Sequence, residues 1–319
     1  MTGKDAPMAP KQETVEIAGR TLRLSNLEKP LWPAHPPDSS AFTKGQMIDY
    51  YTRIAPVMIP HLAGRAITLR RWPDGVESHS FFEKNCPSHR PDWLATVAMG
   101  DVDYCRVEEP AALAWTANLA SVELHPTLAR LPDLEAPTAV VFDLDPGEPA
   151  DILTCATVAL LIRDVLDRFE LTGFIKSSGS KGLQLYVPVG PHVGYERTRT
   201  FAHVVARLLE RSHPDLVVTT QERAVRKGKV LIDWGQNAPS KTTVCVYSMR
   251  PWAQPSVSTP LHWEEVEAAE KTGDRDRLRF GPDEVLARVE REGDLLAGVL
   301  AGEGDLPDLG DNEVGKGRR

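Results

Sequence analysis

An α+β fold is what this sequence predicts, and three observations carry the prediction. Thr138 to Gly147 reads as a buried apolar strand that ends in a sharp Pro146-Gly147 turn. Asp151 to Phe169, directly after it, has the spacing of an amphipathic helix with Asp151 as its N-cap. Phe174 to Ser177 and Leu183 to Val189 then read as two strands around a glycine-rich turn.

The remaining elements follow the same rules in chain order. Residues 14–24 alternate enough for a strand. Gln46 to Leu62 places Met47, Tyr50, Tyr51, Ile54, Val57 and Met58 at helical spacing, with Thr43 as N-cap. Ala66 to Trp72 and Ser80 to Glu83 read as strands, and Ala112 to Leu124 as a helix stopped by Pro126. Thr198 to Arg211 is helical, while Lys229 to Trp234 and Thr243 to Met249 are short strands. From Trp263 the chain is charged and helix-prone, and after Ala301 it is rich in Gly and Asp. No internal repeat is visible. The expected division is a flexible N-terminus over 1–13, a catalytic domain over 14–270, and an acidic C-terminal tail over 271–319. Within the domain, an N-terminal part covers about 14–135 and a metal-binding part about 136–262.

With 41% hydrophobic and 26% charged residues, the 319-residue chain has the composition of a globular protein. It contains no apolar run of membrane-spanning length and no signal-peptide core, so a cytoplasmic protein is expected. Cys86, Cys105, Cys155 and Cys245 are scattered, and no disulfide framework is expected. A zinc site from His79, Cys86, His89 and Cys105 can be drawn on paper, but the spacing is irregular. The net charge of −8 argues against a polyanionic partner until its position is considered. Glu264 to Arg319 holds 16 acids and 9 bases, which leaves the other 263 residues at −1. Around Asp233 cluster Arg223, Arg226, Lys227, Lys229, Lys241 and Arg250, either a solvated loop or a basic groove.

Candidate chemistry begins with Asp143 and Asp145. Side chains alternate across a strand, so both project from one face. Carboxylates held that close repel each other unless a cation or shared proton relieves them. Oxygen-only ligands point to Mg²⁺ or Mn²⁺. Asp233, on a second apolar strand, is a third candidate, and three such acids could hold two ions about 3.5–4 Å apart, as in phosphoryl or nucleotidyl transfer. The alternatives are a solvated strand end and an edge acid paired with a lysine. Ser178-Gly179-Ser180-Lys181-Gly182 is either an anion cradle or a plain hairpin turn. Of Phe81 and Phe82, either both pack in the core, the commoner outcome, or one stays outside, where Lys84 would help it stack on a base. His125 is expected to close a helix, as a dipole-satisfied cap or a phosphate contact.

Taken together, these segments resemble the polymerase domain of bacterial DNA ligase D, a branch of the archaeo-eukaryotic primase superfamily. The resemblance runs from about Val15 to Glu270 in motif order. It is carried by Ser25-Asn26-Leu27-Glu28-Lys29, Arg71-Trp72-Pro73-Asp74-Gly75, Phe81-Phe82-Glu83-Lys84-Asn85, and Ala117-Asn118-Leu119 through Glu123-Leu124-His125-Pro126. Phe142-Asp143-Leu144-Asp145-Pro146, Ser178 to Gly182, Ile232-Asp233-Trp234 and Val246-Tyr247-Ser248-Met249-Arg250 complete it. Haloacid-dehalogenase-type phosphatases share the Phe-Asp-Leu-Asp opening. They require Thr or Val at the fifth position, where this chain has Gly147, and place the strand near the chain start.

The resemblance implies an archaeo-eukaryotic primase-type catalytic core, with an antiparallel RRM-like sheet and an N-terminal α/β part. It implies Asp143, Asp145 and Asp233 as catalytic metal ligands for two Mn²⁺ or Mg²⁺ ions. Ser178, Lys181, His125 and Arg250 would hold the triphosphate, and Phe81 and Phe82 the base and template. Asn26, Lys29 and Lys44 would bind a downstream 5′-phosphate, with Gln236, Arg226 and Lys84 near the same groove. One departure is Gln184, where the family commonly has His; Gln donates a hydrogen bond but carries no charge. The implied function is template-directed nucleotidyl transfer at gapped or broken double-stranded DNA, using nucleoside triphosphates and preferring ribonucleotides. The expected setting is the bacterial nucleoid, beside a separate ATP-dependent ligase and with Ku as a candidate partner, since no ligase segment follows here. The competing readings are a metal-dependent phosphatase and a non-catalytic DNA-end-binding module.

Overall fold

The structure, a computed structural model, describes residues 12–35 and 40–308. The expected flexible N-terminus and the last part of the expected tail lie largely outside the described residues.

A hairpin opens the described chain, with β1 (Gln12–Ile17) antiparallel to β2 (Arg20–Ser25). The single strand expected over 14–24 is broken by Ala18 and Gly19, both at positive φ. Helix α1 (Lys44–Leu62) starts where the sequence places it. The Thr43 hydroxyl accepts from the Gln46 amide while the Gln46 side chain accepts from the Thr43 backbone. The N-terminal five-stranded sheet follows, from β3 (Ile67–Arg71), β4 (Phe81–Glu83), β5 (Thr96–Met99) and β6 (Val102–Cys105), with α2 (Pro110–Asn118) leading into β7 (Ser121–Pro126). Both β4 and β7 pair antiparallel with β3.

The second sheet has six strands. Its centre is β8 (Ala139–Pro146), which is followed by α3 (Ile152–Asp167), β9 (Phe174–Ser177), β10 (Leu183–Pro188) and α4 (Tyr195–Ser212). The edges are β11 (Val217–Val218) and β13 (Pro260–Leu261), with β12 (Val230–Asp233) inside β11, in the spatial order β11-β12-β8-β10-β9-β13. All pairings are antiparallel except β11 with β12. The RRM-like antiparallel expectation therefore holds apart from one short edge strand. Strand parity divides the faces. Val140, Phe142 and Leu144 pack with Ile162, Phe201 and Val205 of the covering helices, which puts Asp143 and Asp145 on the opposite face. Truncating Phe142, fully buried, would cost about 3–5 kcal/mol through the cavity it leaves.

Four expectations are corrected. His125 does not close a helix: α2 stops at Asn118, Ala120 takes φ +59°, and Ser121–Pro126 forms an internal strand. Burial on both faces hid the period-2 pattern behind an alanine-rich helix. Thr243 to Met249 is not a strand, because Tyr247 at φ +66° breaks the ladder and only Met249–Arg250 pairs, with Ser256–Val257. The segment from 271 is not a tail throughout. After α5 (Trp263–Thr272), helix α6 (Pro282–Glu292) buries Val285, and beyond it Leu296 and Val299 join the N-terminal core. Asp294 anchors this stretch by accepting from the Tyr247 hydroxyl at 2.7 Å and pairing with His61 at 2.8 Å. Its acidity lies on the outer face of an amphipathic helix. Finally, Cys86 and Cys105 form a disulfide, which also removes both sulfurs from any zinc arrangement, while Cys155 and Cys245 are free and buried. Among the described residues, no helix is long and apolar enough to cross a membrane.

Candidate active site

Two rows of side chains, one on each sheet, make the site. On the six-stranded sheet, Asp233 of β12 lies opposite Asp143 of β8, Asp143 opposite Gln184 of β10, and Gln184 opposite Lys176 of β9. Directly opposed residues share a face, so the four form one line across the sheet. Asp145 projects one pleat further along β8 on that face. Asp233 accepts from Gln221 and Gln236 at 2.9 and 3.0 Å, and Asp143 from Gln184 at 3.0 Å.

The electrostatics of this row are those of crowded acids. Burial first, then the Asp145 charge, push Asp143 up to about 7, against the opposing hydrogen bond from Gln184. Asp145 is also raised, by burial and by Asp233, while Arg226 and Arg250 pull the other way. Among the described residues, no three His, Cys, Asp or Glu side chains converge closely enough to hold one ion as they stand. The amides of Gln184, Gln221 and Gln236 set the carboxylate orientations instead. The donor chemistry nevertheless fits a hard divalent cation: the ligands are oxygen-only, and the nearby cations leave both Asp143 and Asp145 raised.

On the N-terminal sheet, Phe82 of β4 lies opposite Arg70 of β3, and Arg70 opposite Glu123 of β7. Glu123 is 0% exposed and gathers two arginines and a histidine. It contacts His125 at 2.7 Å, Arg250 at 3.2 Å and Arg70 at 3.4 Å. Burial works against the Glu123 charge, yet the His125 hydrogen bond and the two arginines hold its carboxyl below the usual range. Burial lowers His125, so its imidazole is kept neutral. Arg70 Nε, Arg250 Nε and Glu123 Oε1 are buried without an aligned hydrogen-bond partner. Arg250 Nε and Glu123 Oε1 face each other at 3.2 Å off the hydrogen-bond axis, so both arginine N–H groups could turn to an anionic ligand. Arg250 joins the two sheets, because it touches Glu123 and also acts on Asp145.

Other expected residues fall around this cleft. Ser178 Oγ accepts from the Ser180 and Gly182 amides at 3.3 and 3.2 Å, which closes the loop as a tight turn. Gly179, at φ +69°, lies so near Arg250 that a Cβ would stand 2.7 Å from its Cγ. That places the loop beside the basic cluster. Lys181 is exposed and paired with Glu148 at 2.9 Å. Gly147 answers a different constraint: any Cβ there would meet the Arg226 carbonyl at 2.0 Å, so the turn after the aspartates admits only glycine. Arg226 is thereby held close to Asp145. Gln236 reaches Asp233, and Gln184, 4% exposed, turns to Asp143 and Lys176 instead of into the basic cluster.

Phe81 and Phe82 are both exposed, at 38% and 56%, where one or both were expected in the core. Arginines support them from the sheet, Arg71 at 5.3 Å from the Phe81 ring and Arg70 at 4.9 Å from that of Phe82. Lys84 follows them on the exposed surface. Asn26, Lys29 and Lys44 come together elsewhere. Asn26 takes φ +55°, its carbonyl accepts from the Lys29 amide, and the Lys44 amide donates to the Lys29 carbonyl. Burial, then Lys29 and Arg71, lower Lys44 to about 8. Arg70 and Lys176 were missed by the sequence reading, and Glu123 was quoted in a motif without a role. The Glu-Leu-His alternation was the available signal, had it been read as a strand.

Residues 43–296 match the family described as LigD, primase-polymerase domain. The chain belongs to this family. It is 40% identical over 282 residues to the multifunctional non-homologous end joining protein LigD of Mycolicibacterium smegmatis, covering 86% of this chain and 36% of that protein. With the bifunctional LigD of Bacillus subtilis it shares 31% identity over 273 residues, covering 85% of this chain and 43% of the relative. The chain thus spans well under half the length of these relatives. Among solved structures, the polymerase domain of Mycobacterium tuberculosis ligase D in complex with DNA matches with a TM-score of 0.78 at 38% identity, covering 88% of this chain and 98% of that one. Membership sets aside the haloacid-dehalogenase-type reading of the shared Phe-Asp-Leu-Asp segment.

Proposed function

We propose that the chain is a template-directed nucleotidyltransferase that fills short gaps or extends ends in broken double-stranded DNA. One observation carries this reading: a row of aspartates and a buried-acid-organised cluster of arginines and histidine meet at Arg250. A reaction that brings a triphosphate to a hydroxyl needs both, one to hold cations and one to hold phosphate.

Asp143, Asp145 and Asp233 would hold two divalent ions, Mn²⁺ or Mg²⁺, which supply activation of a primer 3′-hydroxyl and support for the leaving pyrophosphate. Arg250 and Arg70 offer N–H groups to the phosphates, with Lys181 and the Ser178–Gly182 loop beside them. Neutral His125 gives its single N–H to Glu123, so it would donate to a phosphate only once protonated, a state that a bound phosphate would favour. Phe82 and Phe81 present aromatic faces to a base and the template, and Lys84 and Arg226 would track the backbone. Asn26, Lys29 and Lys44 would bind the downstream 5′-phosphate, whose charge would keep Lys44 protonated.

The finer statements follow from the resemblance: Mn²⁺ with a preference for ribonucleotides, action in the nucleoid, and cooperation with an ATP-dependent ligase and Ku. The test is primer extension on gapped DNA carrying a 5′-phosphate, with ribonucleotides against deoxyribonucleotides and Mn²⁺ against Mg²⁺. Templated, ion-dependent extension is expected. Phosphate release from nucleotides without extension, or tight DNA binding with no product, would overturn the proposal.

A further inference from the structure

We propose that Lys176 is a positioning residue for the carboxylate of Asp143 and acts through the amide of Gln184. The inference rests on reading Asp143 as a metal ligand. Lys176 is 0% exposed, and its ammonium donates to Gln184 Oε1 at 2.5 Å and to Ser258 Oγ at 2.6 Å. At its other end, Gln184 Nε2 donates to Asp143 Oδ1 at 3.0 Å. The three side chains follow the cross-strand register of β9, β10 and β8, so the backbone ladder fixes their spacing.

The chemistry gives this chain of contacts a direction. A glutamine amide can present either its oxygen or its nitrogen to a neighbour. Burial lowers Lys176 to about 7, and in its ammonium form, which has donors only, it admits only the oxygen end of the amide toward itself. The N–H end is then forced onto Asp143, and the Tyr186 hydroxyl, 3.4 Å from the same Gln184 oxygen, supports that orientation. With Lys176 removed, only the longer Tyr186 contact holds the oxygen end, and the amide gains freedom to swing away from the carboxylate. One oxygen of Asp143 is thereby committed to an amide, while the other stays available to a cation.

Charge points the same way. A buried ammonium is costly unless an opposite charge lies near. The small cavity on the far side of Lys176 is lined by Arg65, Tyr186, Thr243 and Cys245 among others, with no carboxylate. Its contacts at Ser258 and Gln184 are neutral oxygens. Asp143, one amide away, is the acid that its charge serves.

The test is Mn²⁺ binding to the full chain, without DNA or nucleotide, followed by the electron paramagnetic resonance signal of free Mn²⁺. Lys176→Met and Gln184→Met should each weaken binding about 10- to 100-fold, the usual range for groups that orient a metal ligand. The double variant should bind no more weakly than Gln184→Met alone, because the lysine works only through the amide. Melting temperatures recorded alongside separate a purely structural role, which would lower Tm and leave Mn²⁺ affinity unchanged. Wild-type affinity in Gln184→Met overturns the inference even if Lys176→Met fails to fold, and additive losses in the double variant overturn it as well. A wild-type chain that binds no Mn²⁺ would overturn the metal site itself, and this inference with it.

Discussion

Replacing Asp143 by Asn tests the crowding of the acidic row directly. In the metal-free protein, burial and the neighbouring Asp145 raise Asp143 from 3.8 to about 7. At 1.36 kcal/mol for each tenfold, that rise corresponds to ~4 kcal/mol between the protonated and ionised forms. Solvent reaching the side chain from the cleft, and the titration it shares with its neighbours, reduce the expected effect to about 1–2 kcal/mol. The sign follows from the direction of the shift. A group that holds its proton more tightly when folded contributes stability that is fully present below about pH 4 and lost as pH rises through about 7. Asn is nearly isosteric, still accepts the Gln184 hydrogen bond, and never ionises. Asp143→Asn should therefore melt within a degree or two of wild type at pH 4, and about 2–6 °C higher at pH 8 in EDTA. Adding Mn²⁺ should reverse the order at pH 8, since the ion stabilises only the chain that binds it. Scanning calorimetry at both pH values, with and without the ion, reads all of this. A Tm difference that does not grow with pH would refute the crowding argument, and equal Mn²⁺ stabilisation of both chains would refute the ligand assignment.

Glu123→Gln keeps the shape but removes the charge that gathers Arg70, His125 and Arg250. It should lower unfolding free energy by about 3 kcal/mol in urea and raise nucleotide KM roughly tenfold; unchanged values of both would deny it an organising role. Phe82→Ala, at an exposed position, should leave Tm within a degree but weaken gapped-DNA or nucleotide binding by about 5- to 150-fold, the worth of one base stack; fluorescence anisotropy decides it, and full retention of affinity would leave the ring without a partner. Wild type should prefer gapped DNA with a 5′-phosphate over the 5′-hydroxyl form by roughly 10- to 150-fold at low salt, and Lys29→Ala should erase most of that preference; equal wild-type affinities for the two substrates would end the 5′-phosphate assignment. Because Lys44 is lowered to about 8, its charge is lost as pH rises past that value, and the same preference measured at pH 7 and pH 9 should shrink at pH 9.

What the sequence determined by itself was local. Alternation along Thr138–Gly147 put Asp143 and Asp145 on one face. Thr43 and Asp151 marked two helix starts as N-caps, and the structure completes each as a capping box with Gln46 and Thr154. Ordered motifs named the family and most candidate residues. Tertiary structure alone decided the rest. Nothing in the spacing of Lys176, Gln184, Asp143 and Asp233 says that they form one line, because strand register is set by hydrogen bonding between segments up to tens of residues apart. Glu123 and His125 looked helical until pairing with Ile67–Arg71 made them a strand, and a charged helix looked like a tail until Val285, Leu296 and Val299 found the core beneath it. Periodicity records which face of an element is apolar, but which other element covers that face depends on contacts between parts of the chain that share no local pattern.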